Sequence, residues 1–510
     1  MGPAAGAARD ADPSWHVHLP PGVKPASVDL VGKRSLPAAW LAAWAANPDA
    51  PVLLGPDRSG WLTAEQLEAA SRRVAGRLLG AGLTPGDRIL FSAGTSIDMV
   101  VAHVAALRAG LVVVPTNPAY QERELNHIVT DSDPAAALVD DAERQGWIVA
   151  AAREGIITVG PEVGLPDGGD MPIDNLEPDH PALIPYTSGT TGAPKGAVLS
   201  HANLLASSES IGLAWRWVAT DRLILALPLF HGHGLCVGLY GTLLAGASAV
   251  LQPRFDVDLV LDAAAEHEAT MFFGVPTMYH RLASSERVGE LARLRLCVSG
   301  SAPLSAELHQ QVEQLASQRV LERYGMTETL MNASNPLDGE RRPGSVGVAL
   351  PGVDIRLEPA TGEILVRGPA VFSGYRNHPD ATAAAFVDGW FRTGDVGAIG
   401  DDDYLTILGR VKELIITGGF NVFPREVEDV LASHPTVVEV AVVGVPSPEW
   451  GEVVTAFVVT SAEAPNEQEL LGFAAERLAG YKCPRTVRFV PALPRNAMGK
   501  VVKQQLTAAT

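Results

Sequence analysis

The stretch from Tyr186 to Val198, YTSGTTGAPKGAV, concentrates groups that bind phosphate. Its glycines let the backbone approach a ligand closely, Lys195 adds a positive charge, and hydroxyl donors come from Thr187, Ser188, Thr190 and Thr191. It is not a Walker A loop, because the order Gly-Lys-Ser/Thr occurs nowhere in the chain. The residues predict a phosphate-binding loop, and a solvent-exposed turn of small residues is the alternative.

Buried strands alternate with helices up to about residue 360, which is typical of βαβ units. RILFSA is followed by the helical stretch SIDMVVAHVAALRAG and then by LVVVP. The alternation recurs in RLILALPLF, ASAVLQ, DLVLDAAAEH, ATMFFGV and RLRLCVSGS, with a helix from Leu304. Thr63 and Gln66 predict a capping box for an earlier helix. These patterns predict a mostly parallel, helix-covered architecture.

The pattern changes after Gly362. Short alternating segments up to Arg410 predict antiparallel structure, with a hairpin around residues 401–403. Beyond Arg410, the helix PREVEDVLASHP, the strands VEVAVVGV and VVTAFVV, the helix EQELLGFAAERLAG and a strand near TVRFV predict a small α+β domain. The predicted fold class is therefore α/β, with a flexible extension at 1–35, a large N-terminal domain at 36–409 and a small C-terminal domain at 410–510.

Composition narrows the possible partners. The formal net charge of −19 disfavours nucleic acid and anionic membrane surfaces. No apolar run of about 18 residues and no secretion signal is present, so we expect no stable membrane association. The three cysteines are far apart and form no metal-binding pattern, which favours a reduced, cytoplasmic compartment. The sequence predicts no particular oligomeric state.

Five segments, in the same chain order, resemble the adenylate-forming superfamily, which includes acyl-CoA synthetases, peptide-synthetase adenylation domains and firefly-type luciferases. They are YTSGTTGAPKGAV, RYGMTET at 323–329, GWFRTGD at 389–395, GRVKELIITGG at 409–419 and PRNAMGK at 494–500. The resemblance spans roughly residues 40 to 505. It implies that ATP converts a carboxylate into an acyl adenylate, with release of pyrophosphate, and that a thiol then displaces AMP.

The resemblance also implies roles for individual residues. Lys500 would contact the carboxylate and phosphate during adenylation, Glu328 would bind Mg²⁺, and Asp395, followed by Arg410, would hold the ribose hydroxyls. The implied ATP site further includes Thr187, Ser188, Gly189, Thr190, Thr191, Lys195, Ser301, Ala302, Pro303, Tyr324, Gly325, Met326 and Thr327. Lys500 could instead be an exposed tail lysine, and Glu328 could cap a helix. Asp395 or Arg410 could be half of a structural salt bridge, and Tyr324 could be a core tyrosine.

The thiol half-reaction needs different surroundings at the same carbonyl. The resemblance implies that the C-terminal domain is a mobile lid, which rotates about a hinge at Lys412 and brings Gly418 and Gly419 to the pantetheine channel of coenzyme A. An ordinary glycine turn is the alternative for Gly418 and Gly419.

Longer segments most resemble malonyl-CoA synthetases, above all ERYGMTETLMNASNPLDGERRPGSVGVALPGV. The second carboxylate of malonate needs a buried partner, for which an arginine is suited. The resemblance points to Arg295, with His231 as a second donor, although Arg295 could be structural and His231 could only gate the channel. Gly246 stands near where some malonate enzymes carry another arginine. A short, medium-chain or aromatic monocarboxylic acid is the next candidate.

Three rival functions share these motifs. One is a stand-alone adenylation enzyme that loads a carrier protein, another is a luciferase-like oxygenase, and the third is a non-catalytic nucleotide-binding protein. We expect an enzyme that joins a small carboxylic acid to coenzyme A with ATP and Mg²⁺.

Overall fold

The predicted alternation of strands and helices forms two helix-covered sheets in the N-terminal domain. The computed structural model describes residues 13–30, 32, 34–55, 60–187, 193–461, 465–495 and 501–507. Among these residues, the first sheet has the order Gly374–Tyr375, Lys195–Ser200, Pro181–Leu183, Val112–Pro115, Arg88–Ser92, Ala136–Val139 and Ile157–Val159, and Tyr186–Thr187 pairs with Lys195–Ser200.

The second sheet, called the site sheet below, carries most of the candidate site. Its described strands follow the order Val348–Ala349, Leu330–Ser334, Leu321–Met326, Leu296–Ser299, Met271–Gly274, Arg222–Leu225, Ser248–Leu251, Pro51–Leu54 and Leu62–Thr63. The pairs from Pro51–Leu54 across to Leu321–Met326 are parallel, and both ends of the sheet are antiparallel. Parallel strands with helices on both faces are buried, which explains their continuous apolar runs.

Helices cover both sheets. The described α-helices of this domain span Leu36–Ala46, Ala64–Gly80, Ile97–Arg108, Glu122–Ser132, Ala142–Ala151, His201–Ala214, Tyr240–Leu244, Val257–Glu266, Pro276–Ala283, Ala306–Ala316 and Pro379–Ala384. A π-helix spans His233–Leu239, and 3₁₀-helices span Ser14–His18, Pro25–Ser27 and Val288–Arg293. None of the helices that the structure describes is both long enough and apolar enough to cross a bilayer.

Two helix starts illustrate the local signals. The capping box of Thr63 and Gln66 is confirmed, with both reciprocal hydrogen bonds present. The helix predicted from Leu304 begins at Ala306, because the Ser305 side chain accepts a hydrogen bond from the Leu308 amide and so acts as the N-cap.

The segment before Leu36 corrects the prediction of a flexible extension at 1–35. From residue 13 onwards this segment packs on the domain, with His18, Leu19 and Leu30 buried. The His18 ring is hydrogen-bonded to the Val348 carbonyl, and the Arg216 guanidinium donates to the His18 and Leu19 carbonyls. Residues 1–12 lie outside the described residues. The described residues between 13 and 35 therefore pack on the large domain.

A third sheet closes the large domain and contains the predicted hairpin. Its strands are Asp354–Leu357, Glu363–Arg367, Trp390–Ile399 and Phe386–Val387, with Leu405–Arg410 paired to Trp390–Ile399. Ile399 pairs with Leu405, and Asp403 adopts a positive φ of 65° in the turn. The antiparallel hairpin around 401–403 is therefore confirmed.

The last hundred residues form a smaller domain with a core of its own. Phe420–Val422, Ile415–Thr417, Gly451–Thr460 and Val437–Ser447 lie side by side, and Thr486–Phe489 pairs with Gly451–Thr460. The helices are Pro424–Ala432, Glu467–Ala475 and Lys503–Thr507, with a 3₁₀ turn at Val411–Glu413. Val427, Leu431 and Leu470 are fully buried against the sheet. This α+β arrangement agrees with the fold predicted for the C-terminal part.

Candidate active site

The candidate site lies where the parallel strands of the site sheet end, the usual position for ligands in open α/β sheets. Strand Leu296–Ser299 continues into Ser301, Ala302 and Pro303, and Ser301 adopts a positive φ of 69°. The Leu304 amide donates a 2.9 Å hydrogen bond to Glu322 Oε1 on the next strand. Burial raises the pKa of Glu322 to about 7, against the lowering effect of that hydrogen bond. The predicted ATP-site residues Ser301, Ala302 and Pro303 are thus tied to the sheet beside Tyr324.

Three of the predicted nucleotide residues meet around one carboxylate. The Tyr324 hydroxyl donates to Asp395 Oδ2 at 2.6 Å, and Arg410 Nε lies 3.0 Å from Asp395 Oδ1. Burial, together with the Asp395 charge, raises the pKa of Tyr324 well above its ordinary value. Tyr324, Asp395 and Arg410, predicted from separate motifs, therefore form one cluster.

A tight turn presents the predicted magnesium ligand. Strands Leu321–Met326 and Leu330–Ser334 are antiparallel, and a Cβ atom on Gly325 would come within 2.0 Å of the Leu330 carbonyl oxygen. Glycine is therefore required where the two strands converge. The turn holds Met326 and Thr327 beside Glu328, whose side chain is buried. Burial raises the pKa of Glu328, although the Tyr375 hydroxyl, which donates to Oε1 at 2.8 Å, acts in the opposite direction.

The two limbs of the predicted phosphate loop lie next to this carboxylate. Thr187 and Lys195 pair as antiparallel neighbours, and the Lys195 Nζ atom lies 4.9 Å from the centroid of the Tyr375 ring. Ser188, Gly189, Thr190 and Thr191, predicted to complete the loop, lie outside the described residues, as does Lys500.

The donors fit a magnesium ion that arrives with ATP. Mg²⁺ prefers oxygen ligands and is usually held by one or two carboxylates, substrate phosphates and water. Glu328 supplies a buried carboxylate, which Tyr375 connects to Lys195. The described part of the chain contains no group of three or more His, Cys, Asp or Glu side chains that could hold a metal. Glu328 would thus share the ion with phosphate oxygens.

The structure corrects the prediction that Arg295 binds the acyl group. Arg295 precedes strand Leu296–Ser299, at the amino edge of the site sheet, while the other site residues follow the carboxyl ends of strands. Its guanidinium binds Asp221 through Nε at 2.6 Å and Nη2 at 2.5 Å, and it also donates to the Trp215 carbonyl at 3.0 Å. Both nitrogens that would grip a substrate carboxylate are occupied. Arg295 is therefore a structural residue.

Sequence reasoning missed Arg323, the first residue of the quoted motif RYGMTET. Arg323 is buried in strand Leu321–Met326, and its Nε and Nη2 atoms have no hydrogen-bond partner among the described residues. Burial lowers its pKa to about 9, which leaves the guanidinium charged at neutral pH. Arg323 lies across from Gly300, and the sequence could have placed it at the ligand crevice. Residues near the carboxyl end of a parallel strand face that crevice.

Two histidines, His231 and His233, lie on the same side of the site sheet as Arg323. The His231 Nδ1 atom accepts a hydrogen bond from the His233 amide, where the π-helix begins, and His231 lines a small cavity with Thr327 and Tyr186. The His233 ring stacks on Phe273 and lies 3.3 Å from the Ser301 hydroxyl through Nδ1. Burial and the neighbouring Arg323 charge lower the pKa of His233 well below its ordinary value. His233 is therefore neutral beside a charged arginine.

The predicted hinge and channel residues lie together in the small domain. Lys412 is in the turn Val411–Glu413, and Gly418 and Gly419 form the turn of the next hairpin with φ of 55° and 81°. A Cβ atom on Gly418 would come within 2.9 Å of the Trp450 ring. Their roles in rotation and in the pantetheine channel stay predictions.

A half-buried lysine connects the turn that contains Lys412 to the last described helix. Lys503 Nζ lies 3.2 Å from Glu413 and 2.7 Å from Glu428. Burial lowers the pKa of Lys503, but the two carboxylates outweigh it and raise the value overall. The helix Lys503–Thr507, which closely follows Lys500, is thus anchored beside the hinge turn.

The two-sheet domain, the nucleotide-type cluster at its strand ends and the small C-terminal domain define the class of adenylate-forming enzymes. Residues 41–376 match the family model described as AMP-binding enzyme, and residues 426–500 match that of its C-terminal domain. The chain belongs to the AMP-binding enzyme family. It is an AMP-forming acid–thiol ligase that uses ATP, Mg²⁺ and coenzyme A.

Similar proteins act on different acids. The chain is 37% identical to a feruloyl-CoA synthase from an Amycolatopsis species (87% of this chain, 93% of that protein). It is 36% identical to a sulfoacetate–CoA ligase from Cupriavidus necator (92% and 97%) and 35% identical to a malonate–CoA ligase from Arabidopsis thaliana (84% and 78%). The fold matches the crystal structure of ATP-bound MatB from Rhodopseudomonas palustris with a TM-score of 0.87 and 41% identity, over 93% and 98% of the two chains.

Proposed function

We propose that this ligase activates a small acid with a second anionic group, and that malonate is the best candidate. The observation that carries this proposal is Arg323, which is buried with Nε and Nη2 unpaired among the described residues. An unpaired buried charge is costly, and these two nitrogens form one side of the fork that binds a carboxylate through two parallel hydrogen bonds. While one carboxylate of malonate reacts, the other is bound by Arg323.

The relatives are compatible with such an acid. Malonate and sulfoacetate each carry a carboxylate and a second anionic group one carbon away, and both are substrates named for relatives of this chain. Ferulate, also named for a relative, is a monocarboxylate that would leave Arg323 without an anion. Sulfoacetate is therefore the strongest alternative to malonate.

The proposed first half-reaction joins the acid to the α-phosphate of ATP. Arg323 binds the spectator anion, with the neutral His233 as a neighbouring donor, so that the reacting carboxylate faces the phosphates. Tyr324 lies against the adenine and Asp395 binds the ribose. Lys195 and Lys500 balance the charge that develops on the phosphoryl oxygens. When bound through Glu328, Mg²⁺ neutralises phosphate charge and favours departure of pyrophosphate.

The proposed second half-reaction begins when the small domain rotates about Lys412. The coenzyme A thiol then reaches the acyl carbon past Gly418 and Gly419, and AMP leaves. Lys500→Ala should nearly abolish pyrophosphate release, while attack of coenzyme A on supplied acyl adenylate survives. Lys24→Ala, which removes an exposed lysine far along the chain, is the matched control. Equal loss of both half-reactions in Lys500→Ala would contradict the two-step scheme.

The substrate proposal is tested with a panel of acids under identical conditions. AMP formation with coenzyme A is measured for malonate, sulfoacetate, acetate, butyrate and ferulate. We expect kcat/KM for malonate to exceed that for acetate by at least 100-fold, because acetate leaves the Arg323 fork unfilled. A higher kcat/KM for butyrate or ferulate than for both dianions would overturn the proposal.

A further inference from the structure

Tyr375 lies outside every motif that the sequence analysis used, yet it contacts two residues of the candidate site. It belongs to the short strand Gly374–Tyr375, where it pairs with Ala197 of strand Lys195–Ser200. Its hydroxyl donates to Glu328 Oε1 at 2.8 Å, and the Lys195 Nζ atom lies over its ring at 4.9 Å. One aromatic side chain thus bridges the Glu328 carboxylate and the Lys195 ammonium group.

The surrounding contacts hold Tyr375 in place. Its amide donates to the Thr382 hydroxyl at 2.9 Å, and its ring packs edge-on against Phe372 with centroids 4.8 Å apart. The Phe372 amide in turn donates to the Glu328 carbonyl at 2.8 Å. The segment from Phe372 to Tyr375 therefore grips Glu328 through its backbone and its side chain.

A buried carboxylate needs such a partner. Burial disfavours the charged form of Glu328, and the Tyr375 hydroxyl stabilises that form while it fixes the direction in which the carboxylate points. Groups that orient a metal-binding side chain commonly change metal affinity by 10–100-fold when they are removed. A cation over an aromatic face gains a smaller amount.

We propose that Tyr375 is a positioning residue that holds the Glu328 carboxylate and the Lys195 ammonium group in place for Mg²⁺ and the phosphates of ATP. The hydroxyl orients the Glu328 carboxylate that would bind the metal, and the ring contacts the Lys195 ammonium group. This inference rests on the role proposed above for Glu328, and it is independent of which acid the enzyme uses.

The test measures binding without turnover. Mn²⁺ is titrated into the enzyme with ATP, in the absence of acid and coenzyme A, and free Mn²⁺ is followed by electron paramagnetic resonance. Tyr375→Phe removes only the hydroxyl and should weaken Mn²⁺ binding at least 10-fold, while binding of ATP in EDTA changes less than twofold. Tyr375→Leu also removes the ring and should weaken ATP binding in EDTA about threefold.

Tyr404→Phe is the matched control, because it removes a hydroxyl that donates to the Glu340 carbonyl away from the site, and it should leave both affinities unchanged. Glu328→Gln separates the two proposals. If Glu328→Gln weakens Mn²⁺ binding but Tyr375→Phe binds Mn²⁺ like the wild type, the role of Tyr375 is refuted alone. If Glu328→Gln also binds Mn²⁺ like the wild type, the proposed metal role of Glu328 fails together with this inference.

Discussion

The two edges of the site sheet carry arginines in opposite surroundings. At the amino edge, Arg295 binds Asp221, a carboxylate that is only 2% exposed, through both nitrogens of one fork. At the carboxyl edge, the corresponding nitrogens of Arg323 have no partner in the part of the chain that the structure describes. The rise per residue of a strand places Arg295 roughly 16 Å from Gly300, which contacts Arg323.

This contrast shows that the residue type alone does not identify a ligand-binding arginine. What identifies it is whether the fold already supplies a partner for its guanidinium. The protein supplies the anion for Arg295 from within the fold, so that arginine stabilises the domain. Arg323 is charged and buried, and its Nε and Nη2 atoms have no partner among the described residues, so we propose that its anion comes with the substrate. The following predictions test the two arginines against each other, in decreasing order of expected effect.

Replacing Arg323 should abolish the expected preference for malonate over acetate. We expect Arg323→Met to lower kcat/KM for malonate about 10³-fold, or about 4 kcal/mol, because the second carboxylate is then buried without a partner. Acetate should change less than threefold. Arg323→Lys keeps the charge but lacks the fork, so its loss should be intermediate. Steady-state AMP formation with both acids measures the effect, and a parallel loss for malonate and acetate would remove Arg323 from the acyl site.

Replacing Arg295 should instead reduce stability. Arg295→Met removes the charged partner of the buried Asp221 carboxylate, which keeps only its hydrogen bonds from the Val218 amide and the Thr270 hydroxyl. This loss should lower the free energy of unfolding by about 2–3 kcal/mol. Urea unfolding of the large domain measures this change. The ratio of malonate to acetate activity should stay within twofold of the wild type. A changed ratio with unchanged stability would reverse the assignments of the two arginines.

A methyl group on Gly300 should disturb Arg323 without removing it. A Cβ atom there would come within 2.4 Å of Arg323 Cζ and Nε, so the guanidinium must shift. We expect Gly300→Ala to lower kcat/KM for malonate about 10-fold and to affect acetate little. Gly289→Ala, where the nearest atom is 3.8 Å from the added Cβ, is the control for loss of glycine. Equal activity of both variants on malonate would argue against a fixed Arg323.

The smallest effect concerns pH. Burial raises the pKa of Asp221, but Arg295, the Val218 amide and the Thr270 hydroxyl outweigh burial and lower the value overall. Such a carboxyl adds stability above its unfolded-state pKa, and this stability is lost as the pH falls through its folded-state pKa. In Arg295→Met, burial should raise the pKa, so the variant binds a proton on folding. The stability deficit should therefore shrink by about 1 kcal/mol between pH 7 and pH 5, as urea unfolding at both values would reveal; a constant deficit would mean that Asp221 stays ionised.

Much of the fold could be predicted because local signals agree with it. The apolar runs gave the parallel strands, and the capping box at Thr63 and Gln66 marked a helix start that the structure confirms. The apolar run RLILALPLF extends beyond the strand that it contains, which covers only Arg222–Leu225. The strand ends at Leu225, before Pro228, which lacks the amide that a longer central strand would need.

The sequence predicted the site residues that lie in recognisable motifs. It did not predict the residues whose role depends on whether the fold supplies a partner for their charge. Tyr324, Asp395 and Arg410 come together from distant motifs, as a shared nucleotide would require. Arg295 and Arg323 look alike in sequence, because each adjoins a buried strand. Only the fold reveals that Asp221 occupies the first and that no described residue occupies the second. Tyr375 was missed because its neighbours Lys195 and Glu328 are remote in sequence.

The packing of His18, Leu19 and Leu30 on the large domain has a consequence for synthesis. The His18 ring contacts the Val348 carbonyl, 330 residues further along the chain. At translation rates of 5–20 residues per second, roughly 15 to 70 s pass before that partner leaves the ribosome. The segment around His18 is thus made long before it is fixed, and Leu19 and Leu30 stay accessible to chaperones until the strand Val348–Ala349 has emerged.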